Sequence, residues 1–443
     1  MNKTKPITII GAGLVGTFWG ILLRKKGFNV TVIEKRSDPR LSGSETGRSI
    51  NLILTSRAKN AFEQIGKWKQ IKQRTIPVKG RMIHSRESVL TYQPYGQLGE
   101  ENYSVPRSEM NIFLLNEATK LGVEILFDKE IIEADFENNL LHFKDQTTHC
   151  YNVMFAADGA GSIIRKKLQQ RLYGKINPPD WLGVNYKELH IPRSDEGHPE
   201  LDMSCLHIWP RGKEMLMGLP NLDGSFTMTL YLPKSKFEEL NSKESVQKYF
   251  KNNFPDATKI IPNLEGQFST NPDNPLGTVW ADDWSINDNV CLIGDAAHAI
   301  VPFFGQGANL GLEDCVLLSK LVEENESWKE VIHHFISTQK KNADAMAQMS
   351  IENYREMSEL VGDAEFLRKK SFEHYIGKKF PQKFKSRYGR VVYSLMPYHE
   401  VKARGEAQNH LIESLTSQYK NPEDIILNKT EKMIDSMNSS FTH

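Results

Sequence analysis

The chain has 443 residues, of which 39% are hydrophobic and 25% charged. This composition excludes a disordered, collagen-like or coiled-coil protein, and the length predicts more than one domain. Lys and Arg total 56 against 55 Asp and Glu, so no bulk charge attracts nucleic acid or an anionic membrane. Four cysteines without a CxxC pair, together with the lack of a signal peptide or a long apolar run, favour a reduced, cytoplasmic compartment without a membrane partner.

The first 35 residues predict a strand-helix-strand unit. A strand over residues 6–10 is followed by a glycine turn, a helix to about Lys26 and a second strand over residues 29–34. This order is typical of the opening of a Rossmann-like domain.

The α/β pattern continues beyond this unit. A helix is expected from Ser108, as its N-cap, to Gly122, followed by a strand over residues 123–127. Residues 181–232 form short β-branched and aromatic segments between turn residues, which predicts an inserted antiparallel sheet. We therefore predict an α/β protein with a discontinuous Rossmann-like domain (1–178 and 276–327), an inserted β-sheet substrate domain (179–275) and a C-terminal helical region (328–443).

A glycine motif lies between the first strand and the first helix. Gly11, Gly13 and Gly16 have GxGxxG spacing, and Glu34 follows at the end of the next strand. The glycines permit a tight turn, a close approach of backbone to a pyrophosphate and close packing of helix on strand, while the acidic residue can bind a ribose hydroxyl. The motif predicts dinucleotide binding but does not distinguish FAD from NAD.

Two further strand-turn-helix segments carry an aspartate at the turn. Asp158 opens a segment that ends with Arg165, and Asp295 follows Gly294 at the start of a glycine-rich stretch. Each segment alone is equally compatible with an ordinary capped turn. His298 lies beside the third motif, where a structural role is more typical than that of a base.

Together, in this order, the three motifs resemble those of flavoprotein aromatic hydroxylases of the p-hydroxybenzoate hydroxylase type. Five further segments resemble the kynurenine 3-monooxygenase family, and the resemblance extends from about residue 6 to residue 405: they are residues 47–52, 80–84, 93–96, 206–211 and 294–309. The polar tail resembles that of the soluble bacterial members. The resemblance implies an FAD-binding domain and hydroxylation of L-kynurenine to 3-hydroxykynurenine with NADPH and O₂, through a flavin C4a-hydroperoxide. It implies no metal and no side chain acting as acid or base.

The resemblance also assigns site residues. Those expected at the cofactor are Gly11, Gly13, Val15, Gly16, Glu34, Lys35, Arg36, Ile53, Arg107, Ile131, Asp158, Arg165, Asp295, Gly307, Ala308 and Asn309. Those expected at the amino-acid end of the substrate are Arg81, Tyr95, Asn353 and Tyr398. Those expected around its ring or near the flavin are Leu206, Met215, Leu219, Thr229, Tyr231, Phe303, Phe304 and Gln306.

Two of these residues also stand out by their position or residue type. Asn353 lies on a helical stripe with Met346, Met349, Met357 and Leu360, where a buried amide needs a partner. Tyr231 departs from the family pattern, in which phenylalanine occupies this position.

Two other functions remain open on the sequence alone. The chain could be a hydroxylase of the same class that acts on another aromatic acid, or a non-catalytic binding protein on the same fold. The sequence also leaves open a monomer or a homodimer, and the preference between NADPH and NADH.

Overall fold

The structure is a computed structural model that describes residues 1, 3–41, 51–96, 99–358 and 363–441. Residues 47–50 of the family-like segment and Leu360 of the predicted stripe lie outside these ranges. The chain divides into two compact units. The first unit comprises Met1–Thr75, Ser104–Val184 and Asn274–Ala347, and the second comprises Ile76–Tyr103, Asn185–Asp273 and Gln348–His443. The predicted segments differ from this division mainly because residues 76–103 and most of the C-terminal helices belong with the inserted sheet.

The elements follow one another in a mixed order of strands and helices. The strands are β1 (Ile7–Ile10), β2 (Val30–Ile33), β3 (Asn51–Leu54), β4 (Ile76–Val78), β5 (Gly80–His84), β6 (Leu90–Pro94), β7 (Asn102–Pro106), β8 (Glu124–Leu126), β9 (Ile131–Asp135), β10 (Leu140–Phe143), β11 (Thr148–Cys150), β12 (Val153–Ala156), β13 (Asp180–Ile191), β14 (Cys205–Arg211), β15 (Glu214–Pro220), β16 (Phe226–Pro233), β17 (Asp273–Thr278), β18 (Ser285–Ile286) and β19 (Val290–Leu292). The helices are α1 (Leu14–Lys25), α2 (Ser56–Gln64), α3 (Trp68–Lys72), α4 (Arg107–Lys120), α5 (Ile163–Tyr173), α6 (Lys234–Glu239), α7 (Lys243–Asn253), α8 (Ala257–Ile260), α9 (Leu264–Thr270), α10 (Asp295–His298), α11 (Gly307–Glu324), α12 (Trp328–Ser358), α13 (Ala364–Lys379), α14 (Arg387–Tyr393), α15 (Tyr398–Gln418) and α16 (Leu427–Ser439), with short 3₁₀ turns at Pro302–Phe304 and Pro422–Asp424.

The first unit is built on a sheet with the strand order β18-β19-β12-β1-β2-β8. The strands from β19 to β8 are parallel to one another, and only β18 pairs antiparallel. Strands β1, β2, β12 and β19 are buried along their whole length, as expected for a parallel sheet inside an α/β domain. The predicted Rossmann-like opening is confirmed.

The parallel arrangement brings the three sequence motifs to one edge of this sheet. The glycine turn follows β1, Glu34 follows β2, Asp158 follows β12 and Asp295 follows β19. Carboxyl ends of parallel strands meet at the same edge, which is where open α/β sheets bind their ligands. The fold therefore converts three distant segments into one candidate site.

One predicted helix start is wrong by two residues. We expected Ser108 as the N-cap, but α4 begins at Arg107 and its N-cap position is Pro106, which forms no side-chain capping bond. Proline needs no partner for an amide hydrogen, and its fixed φ of −60° suits a helix entry. Ser108 thus lies in the first turn, while Gly122 follows the helix with a positive φ of 80°, as expected.

The second unit contains a sheet in which strands run in the order β13-β16-β15-β14-β5-β6. Strands β14 and β5 are parallel, whereas the pairs β14-β15, β15-β16 and β5-β6 are antiparallel. One face of this sheet carries an apolar cluster that includes Trp209, Leu216, Met228, Phe250 and Phe254. Since alternate side chains of a strand point to opposite faces, the other face presents a separate set of side chains from the same strands.

The C-terminal helices have an apolar cluster of their own. It includes Phe372 and Ile376 of α13, Leu411 and Leu415 of α15, and Ile434 of α16. Over the ranges that the structure describes, no helix combines the length and the apolar character needed to cross a membrane.

Candidate functional site

The turn between β1 and α1 requires glycine at two positions. Gly11 has a φ of 99°, and a Cβ there would lie 2.5 Å from the carbonyl oxygen of Ala157. A Cβ on Gly16 would overlap the carbonyl oxygen of Gly11, whereas Gly13 faces open space. Helix α1 starts at this turn without a side-chain cap and without an acidic residue in its first turn. Its free amides and the positive end of its dipole suit a phosphate group.

Glu34 is a buried carboxylate at the end of β2. It accepts hydrogen bonds from the amides of Ala12 and Arg36, each at 2.9 Å, and pairs with the Arg36 guanidinium at 3.0 Å. Burial alone would raise the pKa of Glu34, but Arg36 lowers it. The carboxylate is therefore ionised and can accept a ribose hydroxyl.

Three more predicted cofactor residues lie around Glu34 or are open to solvent. Lys35 is exposed, and so is Arg107 at the start of α4. The amide of Lys129 donates to the carbonyl oxygen of Glu34 at 2.9 Å. Ile131 follows Lys129 by two residues, at the start of β9. These positions are compatible with contacts to the adenosine end of a dinucleotide.

The second motif uses its two charged residues differently. Asp158 Oδ2 accepts the amide of Ile163 at 2.8 Å, while its buried Oδ1 has no hydrogen-bond partner among the residues described. Arg165 is buried, and it donates to the carbonyl oxygens of Ala296 at 2.8 Å and Ala160 at 2.5 Å. Its guanidinium thus joins the second motif to the third, and Asp158 retains an unpaired acceptor oxygen among the residues described.

The third motif packs tightly against the first. Gly294 has a φ of 58°, and a Cβ there would lie 3.0 Å from the side chain of Val15. Asp295 follows in the first turn of α10 and is only partly buried. A Cβ on Gly307 would lie 3.8 Å from Asp295 Oδ1, so this carboxylate faces the first turn of α11. Val15 is accordingly a packing residue between two motifs.

Helix α11 begins at Gly307 without a side-chain cap or an acidic residue in its first turn. The side chain of Asn309 is fully buried: its Nδ2 donates to the carbonyl oxygens of Ile53 and Gly305, and its Oδ1 accepts from the amide and hydroxyl of Thr55. The amides of the first turn, including Ala308, remain available for an anion or a flavin ring. The predicted role of Asn309 can therefore be carried only by its backbone.

Gln306 was predicted to lie near the flavin. In the structure its side chain is fully buried, and its Nε2 donates to the carbonyl oxygen of Phe304 at 3.1 Å. Phe303 and Phe304 lie in the 3₁₀ turn before it, and each retains 6% of its surface.

A buried network that the sequence did not predict supports the third motif. Asp314 of α11 has no exposed surface, and its carboxylate accepts from the Gly294 amide at 2.8 Å, from His298 Nε2 at 2.7 Å and from Gln339 Nε2 at 2.8 Å. Burial alone would lower the pKa of His298, but Asp314 raises it. His298 is therefore a structural residue, as expected. The sequence feature that could have identified Asp314 is a carboxylate on the apolar stripe of a helix.

The predicted ring-binding residues of the second unit share one face of its sheet. The register aligns Arg81 with Leu206 and Met215 with Tyr231. Alternation along β14, β15 and β16 then places Leu219 and Thr229 on the same side, opposite Trp209 and the apolar cluster. The face is thus mostly apolar, with one cation at Arg81.

Arg81 is enclosed by tyrosines. Its guanidinium lies 5.4 Å from the ring centre of Tyr95 and 4.8 Å from that of Tyr388, and the two rings are stacked 5.5 Å apart. Burial alone would lower its pKa, but the two tyrosines raise it. Its buried Nε has no hydrogen-bond acceptor within the described ranges. A guanidinium held this way presents donors in the geometry that a carboxylate matches.

Tyr388 is the residue at Arg81 that sequence reasoning missed. Tyr398, which was predicted at the amino-acid end of the substrate, is fully buried at the first turn of α15. Tyr388 comes from the short helix α14 and receives a hydrogen bond from Asn102 at 3.2 Å. No sequence pattern distinguished it from the other tyrosines of the C-terminal region.

Two other predicted residues are buried as expected. Asn353 retains 8% of its surface on the stripe with Met346 and Met349, and its Nδ2 lies 3.4 Å from Met357 Sδ. Tyr231 is buried with its ring 6.4 Å from that of Tyr186, and burial raises its pKa. The hydroxyl of Tyr231 is thus a neutral polar group on the shared face.

The donor set of the first unit fits FAD. Two uncapped helix ends suit a pyrophosphate and a flavin ring, Glu34 suits a ribose, Gly13 leaves room where backbone must approach a phosphate, and Asp158 Oδ1 is an acceptor still to be satisfied. Among the described residues, no group of three or more His, Cys, Asp or Glu side chains could hold a metal ion.

Comparisons with known proteins agree with this assignment. The model of the FAD binding domain family matches residues 4–348. Kynurenine 3-monooxygenase of Flavobacterium psychrophilum is 38% identical over 94% of this chain and 94% of its own length. That of Myxococcus xanthus is 37% identical over 99% and 97%, and that of Dictyostelium discoideum is 38% identical over 93% of each.

Solved structures share the fold at lower identity. A tetrameric form of 2-methyl-3-hydroxypyridine-5-carboxylic acid oxygenase superposes with a TM-score of 0.68 at 20% identity, covering 82% of this chain and 94% of that one. The tetracycline destructase Tet(55) superposes with a TM-score of 0.66 at 16% identity, covering 90% and 99%. On the extent of the sequence matches, the chain belongs to the kynurenine 3-monooxygenase family of FAD-binding monooxygenases.

Proposed function

We propose that the protein hydroxylates L-kynurenine to 3-hydroxykynurenine with NADPH and O₂, as an FAD-dependent enzyme of the cytoplasm. The observation that carries the proposal is Arg81, a cation with a buried, unsatisfied Nε beside two stacked tyrosine rings, on a sheet face that is otherwise mostly apolar. An amino acid with an aromatic ring needs this combination, because its carboxylate requires a fixed cation and its ring an apolar surface.

Each part of the substrate has a proposed partner. Arg81 binds the α-carboxylate in a bidentate manner, and Tyr95 and Tyr388 hold the guanidinium in place through ring contacts and side-chain hydrogen bonds. Asn353 supplies an amide near the amino-acid end, and Leu206, Met215 and Leu219 contact the aromatic ring. Bound FAD supplies the electron transfer and oxygen chemistry, so the side chains need only bind, orient and exclude water.

The cofactor residues are proposed by the same reasoning. Glu34 accepts a ribose hydroxyl and the first turn of α1 binds the pyrophosphate, while Asp295 and the first turn of α11 hold the portion nearer the flavin ring. Three predicted cofactor or flavin residues stabilise these elements through hydrogen bonds to backbone carbonyl oxygens: they are Arg165, Gln306 and, through its side chain, Asn309.

The test uses two ligands that differ only at the carboxylate. L-Kynurenine and kynurenamine, which lacks the α-carboxylate, are titrated into the FAD-loaded wild type and into Arg81→Ala. Truncating a buried charge partner costs about 2 to 5 kcal/mol, so Arg81→Ala should weaken L-kynurenine binding by at least about 30-fold and leave kynurenamine binding within about twofold.

The control is Arg86→Ala, which removes an exposed arginine from the same β5-β6 hairpin and should change neither affinity. If Arg81→Ala binds L-kynurenine as tightly as the wild type, the carboxylate assignment fails. If NADPH oxidation is stimulated by anthranilate or a simple phenol and not by L-kynurenine, the chain acts on another aromatic acid.

A further inference from the structure

A chain of buried polar side chains lies on the opposite face of the β-sheet from Arg81. His84 Nδ1 is 2.6 Å from Asp256 Oδ2, and His84 Nε2 is 2.9 Å from His207 Nδ1. His207 Nε2 in turn is 3.0 Å from the carbonyl oxygen of Asp202. The His84 ring also stacks on Trp209, with ring centres 3.8 Å apart. None of these residues faces the proposed ring-binding surface.

The hydrogen-bond pattern fixes the protons in this chain. The carbonyl oxygen of Asp202 can only accept, so His207 Nε2 carries a hydrogen. Burial lowers the pKa of His207 to about 4. Its Nδ1 and His84 Nε2 share the single hydrogen of the contact between the two rings.

The other end of the chain is a carboxylate. Asp256 accepts from the Trp209 indole at 2.9 Å and 3.0 Å. Burial alone would raise its pKa, but His84 and Trp209 lower it to about 2. An ionised carboxylate can only accept, so His84 Nδ1 donates to it. His84 is thus held at both ring nitrogens, by Asp256 and by His207.

The same strand end is held at its backbone. Arg211 donates to the carbonyl oxygens of His84 and Ser85, each at 3.0 Å. Strand β5 runs parallel to β14, with Arg81 beside Leu206 and Ile83 beside Ile208. Arg81 and His84 are three residues apart, about 10 Å along an extended strand. The two side chains therefore communicate through the backbone of β5 and not by contact.

We propose that His84, held between Asp256 and His207, is a positioning residue: it fixes the end of strand β5 and thereby sets the position of Arg81 for the substrate carboxylate. A hydrogen-bonded chain of this kind is maintained only with every partner in place. Fixing a substrate-binding group closely is what such support achieves, since displacements of about 1 Å weaken binding strongly. The inference rests on the proposed function of Arg81.

The test measures ligand discrimination and not activity alone. In FAD-loaded His84→Asn, the dissociation constant for L-kynurenine should rise about 3- to 30-fold, while that for kynurenamine and the kcat at saturating L-kynurenine stay within about twofold. In the double variant with Arg81→Ala, the His84 substitution should cause no further loss. His198→Asn, an exposed histidine of the same unit, is the matched control.

A second measurement reads the hydrogen bonds of His84 directly. In ¹⁵N spectra of histidine-labelled protein, the signals of both His84 nitrogens should show hydrogen bonding, and the Nδ1 signal should change in Asp256→Asn. If His84→Asn does not fold, Asp256→Asn replaces it, because it weakens the contact at His84 Nδ1 and should give the same discrimination.

The outcomes separate this inference from the proposed function. Equal weakening of both ligands, full additivity with Arg81→Ala, or a His84 ring without hydrogen bonds overturns the positioning role. If Arg81→Ala itself fails to discriminate between the ligands, it is the proposed function that falls.

Discussion

Replacing Asp314 by alanine should destabilise the first unit and release FAD. The substitution removes the acceptor of three buried donors: the Gly294 amide, His298 Nε2 and Gln339 Nε2. Asp314 has no exposed surface and His298 only 4%, so water cannot replace the lost partner. The Gly294 amide belongs to the turn that presents Asp295, so the damage extends to the proposed cofactor site.

The magnitude follows from the contacts. Removing one partner of a buried ion pair costs about 3 to 5 kcal/mol. For a domain of roughly 150 to 250 residues, each kcal/mol lowers the unfolding temperature by about 2 to 4 °C. We therefore expect a decrease of about 6 to 20 °C.

The assay is thermal unfolding of the FAD-loaded protein, followed by circular dichroism and by flavin fluorescence. Asp314→Asn should lose much less, because its amide oxygen can still accept from Gly294 and Gln339 can rotate its own amide to face the new donor. Asp282→Ala, at an exposed position of the same unit, is the control. An unfolding temperature within about 2 °C of the wild type for Asp314→Ala would refute the reasoning.

Three further predictions concern other contacts. Gly16→Ala should abolish folding of the FAD-binding unit because of its backbone overlap, whereas Gly13→Ala should fold, as judged by circular dichroism, and lose only affinity for FAD; equal behaviour of the two would contradict this. Because the pKa of His298 is raised in the folded protein, its protonated ring stabilises the fold fully below about pH 6.5. This stabilisation is lost as the pH rises through the raised pKa, so the unfolding temperature of the wild type should decrease in that range. The unfolding temperature of His298→Asn should depend less on pH. Tyr388→Leu should weaken L-kynurenine binding by about 0.5 to 2 kcal/mol through the lost cation–π contact with Arg81, measured by titration, and Tyr388→Phe should bind more tightly than the leucine variant.

The sequence was sufficient for the features that depend on local pattern. The GxGxxG turn, the acidic end of β2 and the Asp turns after β12 and β19 are short segments with their own geometry, so their place at one sheet edge could be predicted once the strands were parallel. The family and its FAD cofactor were predicted from the resemblance of these and further segments to known flavoproteins, and both are confirmed.

Features that depend on distant pairing could not be predicted from the residues alone. The shared face of Arg81 and Leu206 requires the parallel register of β5 and β14, which lie more than a hundred residues apart. The contact of Tyr388 with Arg81 likewise depends on distant pairing, because Tyr388 comes from the C-terminal helices. So does the hydrogen bond that the Arg165 guanidinium donates to the carbonyl oxygen of Ala296. Charge and residue type indicate that such side chains need partners, but only the folded chain selects them.

Asn309 illustrates a division of tasks within a single residue. Its amide group ties the loop of Ile53 and Thr55 to the beginning of α11, whereas its main-chain nitrogen points out of the helix end with those of Gly307 and Ala308. Loss of flavin on substituting this residue would consequently report a tilted helix, not a broken contact with the cofactor. Mutational maps of such enzymes should therefore be compared with the hydrogen-bond pattern of each side chain before a position is counted among those that touch the ligand.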